Sequence, residues 1–133
     1  PCTYIWTADV NYHYMKAGAF VNGTCVPSES WLISPEIELP ASGTLTLSFR
    51  QAANKFNGAA VTDYLSVKVR KAGGQWTDLD VSGWPEGTSW TFQTTTADLT
   101  AYAGETVQIA FVYTSDDEVA GSWEVSNVEI NAD

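Results

Sequence analysis

Residues 106–114 read TVQIAFVYT, and this stretch decides the fold class. Every second residue from Val107 to Tyr113 is large and apolar, so these side chains share one side of an extended strand. The same period of two occurs in residues 44–50 and 64–70. No stretch of ten or more residues has the apolar spacing of an amphipathic helix. The sequence therefore predicts an all-β domain.

Further strands are predicted where extended patterns lie between turn residues such as glycine, asparagine and serine. The ranges are 4–7, 14–21, 31–39, 75–81, 88–94 and 121–131. Many short antiparallel strands without helices favour a two-sheet antiparallel β-sandwich, with a jelly roll as the leading topology. We expect residues 1–133 to form this one domain.

Two predicted strands carry irregularities. In residues 121–131 the apolar alternation breaks step near Ser126 or Asn127, which predicts a β-bulge or a bend. Pro35 removes one ladder donor from residues 31–39, so that segment should be an edge strand, bulged or split in two.

Composition and net charge exclude some classes of function. The chain has 133 residues, of which 44% are apolar and 17% charged, so one folded domain is expected. The net charge of −10 argues against nucleic acid, because binding to phosphates needs clustered basic side chains. No apolar run is long enough for a membrane span.

The two cysteines, Cys2 and Cys25, have no CxxC spacing, so they either form a disulfide or remain free thiols. Few lysines, many Thr, Ser and Trp residues and a possible disulfide favour a secreted or cell-surface protein. Because the chain starts at Pro1 without a signal sequence, it is either a mature protein or, as we expect, an excised piece of a larger exported protein, with other domains of that protein as neighbours.

Several ordered blocks of sequence resemble a known family. They are YMKAGAFVNG (14–23), ESWLISPEIEL (29–39) with TLTLSF (44–49), DYLSVKVR (63–70), WTDL (76–79), SWTF (89–92), DLTAYAGETVQIAFVYTS (98–115) and GSWEVSNVEI (121–130). The chain resembles the choice-of-anchor J, or cleaved-adhesin-like, domains of surface and secreted proteins of Bacteroidetes. Cys2 and Cys25 depart from the usual pattern of that family.

The resemblance implies a jelly-roll sandwich, related in architecture to MAM domains and carbohydrate-binding modules, with no catalytic activity. It also implies binding of host proteins and a structural calcium ion. From the family-like blocks, the proposed Ca²⁺ ligands are Glu29, Asn54, Asp63 and Glu124. Calcium takes six to eight oxygen ligands, and strand ends of a jelly roll bring distant carboxylates to one rim.

The residues offer little for catalysis, and no catalytic residue is proposed. His13 is the only histidine and no GxSxG motif occurs, which argues against a serine or cysteine hydrolase. A glycosidase needs two carboxylates at a defined separation, and most acidic residues are expected at solvated positions. The densest acidic cluster, Asp116-Asp117-Glu118, is expected to be an exposed turn.

Aromatic residues make up 13% of the chain, which raises the expectation of a surface that stacks on sugar rings. Trp84 lies in the turn-rich segment SGWPEG and is the leading exposed aromatic, although it could also fold back to cap the sandwich. Tyr12 and Tyr14 are further candidates. Four tryptophans in strand patterns are expected in the core: Trp31, Trp76, Trp90 and Trp123.

Two functions follow. The first is a noncatalytic binding or adhesion module that binds a glycan. The alternative is a structural or protein-interaction domain whose partner is a host or extracellular protein and whose aromatics only fill the core.

Overall fold

The computed structural model describes residues 6–9, 14–21, 23–25 and 27–132. Thirteen β-strands and two short 3₁₀ turns, Val61–Asp63 and Thr100–Tyr102, occur in this part of the chain. The strands are β1 (Trp6–Asp9), β2 (Tyr14–Gly18), β3 (Phe20–Val21), β4 (Thr24–Cys25), β5 (Ser28–Ile33), β6 (Ile37–Glu38), β7 (Leu45–Asn54), β8 (Leu65–Lys71), β9 (Thr77–Asp78), β10 (Val81–Ser82), β11 (Ser89–Asp98), β12 (Thr106–Ser115) and β13 (Ser122–Ala132).

The strands form two main antiparallel sheets. The six-stranded sheet has the order β1-β2-β13-β7-β11-β10. The five-stranded sheet has the order β5-β12-β8-β9, and β6 also pairs with β12. Strands distant in sequence are neighbours, such as β13 between β2 and β7, so the chain crosses repeatedly between the sheets. The prediction of an all-β, two-sheet antiparallel sandwich is confirmed.

The core lies between the sheets and is dominated by aromatic rings. The ring centroids of Phe49 on β7 and Phe111 on β12 are 5.1 Å apart in an edge-to-face arrangement. Trp123 on β13 is fully buried and contacts Phe111, with the centroids 5.9 Å apart. Edge-to-face pairs stabilise a core beyond the area that they bury.

A chain of hydrogen bonds links the central strands of the six-stranded sheet inside this core. The indole Nε1 of Trp123 donates to Oε1 of Gln51 at 2.8 Å, and Nε2 of Gln51 donates to Oγ1 of Thr95 at 2.9 Å. Thr95 in turn donates to the carbonyl of Gly83 at 3.1 Å. The buried polar groups are thereby paired, as a core requires.

Both predicted irregularities occur. Residues 31–39 are split around Pro35 into β5 and β6, which lie on the same edge of the five-stranded sheet. The register between β13 and β7 shifts between Ser126 and Glu129, and Asn127 has a φ of 53°. The predicted bulge is therefore confirmed.

The prediction of a single strand at 75–81 is wrong. Thr77–Asp78 pairs with β8 in one sheet, and Val81–Ser82 pairs with β11 in the other. The segment instead crosses between the two sheets. Residues 4 and 5 of the predicted first strand lie outside the described residues. No helix in the part of the chain that the structure describes is long and apolar enough to cross a membrane.

Candidate functional site

A hollow of about 510 Å³ lies on the outer face of the six-stranded sheet. Its lining comes from three strands: Tyr14 and Lys16 of β2, Glu124 of β13, and Trp90 and Phe92 of β11. Strand β7 runs between β13 and β11. The hollow therefore combines three aromatic rings, one ammonium group and one carboxylate.

A β-bulge in β11 presents the aromatic wall of this hollow. Ser89 pairs with Ala53 and Gln93 pairs with Gln51, so residues 90–92 face the single residue Ala52. Trp90 and Phe92 are two positions apart and project to the same side of the strand. Bulges often re-aim side chains next to functional sites. Here the bulge places two large rings above a small alanine.

Long side chains of the neighbouring strands contact these rings. The Nζ of Lys16 lies 5.0 Å from the centroid of Trp90, and the Cζ of Arg50 lies 5.8 Å from that of Phe92. The rings of Tyr14 and Phe92 are 5.8 Å apart and tilted by 43°. Since β13 and β7 separate β2 from β11, the contacts of Lys16 and Tyr14 with the rings of β11 span these two strands, whereas Arg50 lies on the adjacent strand β7.

Trp90 is the aromatic side chain that the hollow offers to solvent. It is 43% exposed, and it is the only tryptophan among the large exposed apolar residues of the described chain. Exposing so much indole costs hydrophobic free energy in the free protein, so an exposed tryptophan in a hollow is a feature of binding sites.

Glu124 is the carboxylate of the hollow and is only 4% exposed. It lies directly opposite Lys16 on one side and Ala52 on the other in the strand ladder. No hydrogen bond or ion pair joins its carboxylate to another residue in the part of the chain that the structure describes. Among the described residues no buried side-chain oxygen lacks a hydrogen-bond partner, so the carboxylate oxygens of Glu124 are open to the hollow, where a ligand hydroxyl can replace water as their donor.

The structure separates the predicted ligand-binding residues. Tyr14 lines the hollow, whereas Tyr12 lies outside the described residues. Trp84 is half-buried against the core, with its ring centroid 6.0 Å from that of Trp123. It lines a smaller hollow of about 320 Å³ beside Thr91 and Gln93. The expectation that Trp84 is the leading exposed aromatic is therefore wrong, because its ring folds back onto Trp123.

The expectation of a core position holds for one of the four strand tryptophans. Trp123 is buried, but Trp90 is exposed on the outer face described above. Trp31 and Trp76 form an edge-to-face pair, with centroids 5.4 Å apart, and are half-buried outside the main core cluster.

The pair of Trp31 and Trp76 is held by polar partners of the five-stranded sheet. The Cζ of Arg70 lies 4.7 Å from the centroid of Trp76, and Nε1 of Trp31 donates to Glu29 at 2.9 Å. Arg70 itself donates twice to Oε1 of Gln108. Each of these groups has a partner within the protein, which is typical of a structural role and not of a ligand site.

The four predicted calcium ligands do not form one cage. Glu29 and Asp63 line a groove of about 370 Å³ on the five-stranded sheet. Asn54 and Glu124 belong to β7 and β13 of the other sheet. Within the described residues no group of three or more His, Cys, Asp or Glu side chains is arranged to hold a metal ion. Calcium binding stays a prediction from the resemblance.

The acidic cluster 116–118 forms a loop organised by Asp116. Its carboxylate accepts hydrogen bonds from the Tyr64 hydroxyl at 2.7 Å and from the backbone N–H groups of Glu118 and Val119. These bonds, that of Tyr64 first, lower the pKa of Asp116. The hydrogen bond to Asp116 is also the main reason why the pKa of Tyr64 is raised to about 12. Asp117 and Glu118 are exposed, as predicted for a turn.

Cys25 lies close to this loop. No disulfide joins it to another described residue, and its Sγ lies 3.6 Å from the carbonyl oxygen of Glu118. Cys2 and His13 lie outside the described residues.

Sequence reasoning missed Lys16, Trp90 and Phe92 as members of the site. The WTF spacing at 90–92 showed that the two rings share a side of β11. It did not show which side faces the core, because the bulge changes the pairing around them.

The chain is similar in fold to two solved β-sandwich domains. One is TmCBM61, a carbohydrate-binding module solved in complex with β-1,4-galactotriose, with a TM-score of 0.57 and 16% sequence identity over 90% of this chain and 70% of that one. The other is the K1 cleaved adhesin domain of Lys-gingipain from Porphyromonas gingivalis W83. It has a TM-score of 0.55 and 18% identity over 90% of this chain and 74% of that one.

No protein-family model matches the chain, and no curated protein matches it significantly. At these identities the two likenesses establish the fold.

Proposed function

We propose that the chain is a noncatalytic glycan-binding module, and that a sugar chain binds in the hollow of Tyr14, Lys16, Trp90, Phe92 and Glu124. The observation that carries the proposal is the exposed ring of Trp90 in the same hollow as the carboxylate of Glu124. A pyranose offers an apolar face of C–H groups to an aromatic ring and hydroxyl groups to polar side chains. The hollow presents both kinds of surface at once.

The same chemistry argues against hydrolysis of the bound glycan. Glycosidases need two carboxyl groups on either side of the scissile bond, one as acid and the other as base or nucleophile. Glu124 is the only carboxylate in the described lining of the hollow. We therefore propose a domain that binds glycans as an accessory part of a secreted or cell-surface protein.

The fold of TmCBM61, which was solved with a β-1,4-linked galactotriose, supports a glycan as the ligand. The likeness to the Lys-gingipain adhesin domain favours a second candidate, a module that docks onto an extracellular protein. That alternative predicts no glycan binding, and no special role for Trp90 in sugar recognition.

The test is a glycan-array screen of the isolated domain, followed by calorimetric titration of each glycan that binds. Selective and saturable binding that is lost in Trp90→Ala supports the proposal. Trp76→Ala is the matched control, because it removes a half-buried tryptophan from the outer face of the other sheet. A blank array from a folded domain supports the protein-docking alternative.

A further inference from the structure

We infer that Lys16 and Glu124 together are the specificity-determining pair of the hollow, and that they select a neutral sugar whose hydroxyl groups bridge the two side chains. The inference rests on the proposed glycan-binding function and deepens it by naming the ligand class. It starts from two side chains of opposite charge that are neighbours in the sheet without forming an ion pair.

The ladder places these two residues side by side. Glu124 of β13 is directly opposite Lys16 of β2, and both side chains line the hollow. Side chains at directly opposite positions of antiparallel strands lie close together and on one face. Nevertheless, the two groups are not within ion-pair distance of each other, and both ion pairs of the described chain lie elsewhere, on the five-stranded sheet side.

Lys16 instead contacts an aromatic ring. Its ammonium lies over Trp90, where the ring face attracts the cation. Glu124 is left as an acceptor that is open to the hollow and has no donor among the described residues. The hollow therefore holds one strong acceptor and one strong donor that do not satisfy each other.

Hydroxyl groups fit this arrangement, because each is both a donor and an acceptor. A hydroxyl that donates to Glu124 and accepts from Lys16 satisfies both charged groups without bringing in a new charge. Hydrogen bonds to charged groups are about twice as strong as neutral ones. Neighbouring hydroxyls of one pyranose can occupy both positions while the ring stacks on Trp90.

Charged ligands fit less well. An anionic sugar, such as a uronate or a sulfated residue, would bring its charge next to the carboxylate of Glu124. A cationic ligand would be repelled by the like charges of Lys16 over Trp90 and of Arg50 over Phe92. A neutral sugar meets neither obstacle.

The test compares wild type with Glu124→Gln, which keeps the size of the side chain and removes its charge. Glu129→Gln is the matched control, because Glu129 is an exposed carboxylate further along the same strand, outside the hollow. Each protein is titrated with neutral polysaccharides (β-1,4-galactan, xylan, glucomannan) and with acidic ones (polygalacturonate, chondroitin sulfate). Thermal melting of every variant checks the fold.

We expect wild type and Glu129→Gln to bind a neutral polysaccharide and to bind the acidic ones at least tenfold more weakly. Glu124→Gln should lose about 10- to 100-fold in affinity for the neutral ligand, because charge-assisted hydrogen bonds are lost. The difference between its affinities for neutral and acidic polysaccharides should become smaller, since Lys16 then faces the hollow without an opposing carboxylate. Its melting temperature should stay close to that of wild type, because no ion pair of the described residues involves the Glu124 carboxylate.

Three outcomes would overturn the inference. If Glu124→Gln binds and discriminates like wild type while Trp90→Ala still loses binding, the pair does not determine specificity, although the glycan-binding function stands. If wild type binds none of the polysaccharides, the proposed function fails as well. If tetramethylammonium displaces the bound polysaccharide, the hollow is an aromatic cage for a cation.

Discussion

Replacing Gln51 with leucine should destabilise the fold through one buried hydrogen-bond donor. Gln51 is fully buried and joins Trp123 to Thr95. Leucine is similar in volume, so the variant removes the hydrogen bonds without leaving a large cavity. Thr95 still donates to the carbonyl of Gly83, but the indole N–H of Trp123 is left without an acceptor.

The expected loss follows from that orphaned donor. An unsatisfied buried polar group costs about 1–3 kcal/mol, and the apolar surface of leucine offsets part of it. We expect a net loss of about 2 kcal/mol in the free energy of unfolding. For a domain of this size the melting temperature should then fall by roughly 6–10 °C.

Urea denaturation of four proteins tests this reasoning: wild type, Gln51→Leu, Trp123→Phe and the double variant. Phenylalanine has no N–H, so in the double variant the orphaned donor no longer exists. The two substitutions should therefore be non-additive by about 1–2 kcal/mol, with an unchanged dependence on urea. Additivity within about 0.5 kcal/mol, or a Gln51→Leu variant as stable as wild type, would refute it.

Three further predictions concern the rest of the fold. Because the folded state lowers the pKa of Asp116 below its ordinary 3.8, the stability that it contributes is present above that value and is lost as the pH falls through the lowered pKa. In Asp116→Asn the melting temperature should therefore fall less steeply between pH 5 and pH 2 than in wild type. An equally steep fall in the two proteins would count against the role of Asp116. Gly121→Ala should cost about 1–3 kcal/mol in urea denaturation, because a Cβ there would overlap the ring of Phe56. Gly18→Ala is its control, since a Cβ at Gly18 makes only ordinary contacts, and equal stability of the two variants would contradict the overlap. If the predicted calcium ion is present, chelation should lower the melting temperature by several degrees, whereas equal melting curves after metal analysis has shown removal would contradict it.

Much of the fold could be predicted because the alternation of apolar and polar residues shows that one face of a strand is buried. Residues 44–50, 64–70 and 106–114 are predicted as strands; the third range lies within an observed strand, and the first two begin one residue before theirs. The proline rule located the split in residues 31–39, and the broken alternation located the bulge of β13. These features depend on local backbone chemistry, so a single sequence reveals them.

The positions of the tryptophans could not be predicted in the same way. A tryptophan in an alternating pattern can lie on either face of its strand. In β12 both faces are largely buried. Val112, opposite Trp31 in the ladder, is buried although it alternates with the core residues Phe111 and Tyr113. Because an outer face of this kind is also apolar, a tryptophan can pack on it instead of in the core.

The candidate site depends on contacts between distant segments. Tyr14 was proposed from composition and Glu124 as a metal ligand, yet the structure places both in one hollow with Trp90. This grouping follows from the strand order β2-β13-β7-β11 and from the bulge in β11. Neither feature leaves a local pattern, so the site becomes visible only in three dimensions.

The central claim is that a glycan stacks on Trp90, and calorimetric titration of Trp90→Ala and Trp76→Ala with a glycan identified on the array tests it most directly. A central tryptophan in a binding site contributes about 2 kcal/mol or more, which corresponds to roughly a 30-fold loss of affinity. We predict that loss for Trp90→Ala and an affinity within about twofold of wild type for Trp76→Ala. Wild-type affinity in Trp90→Ala, or the greater loss in Trp76→Ala, would contradict the account.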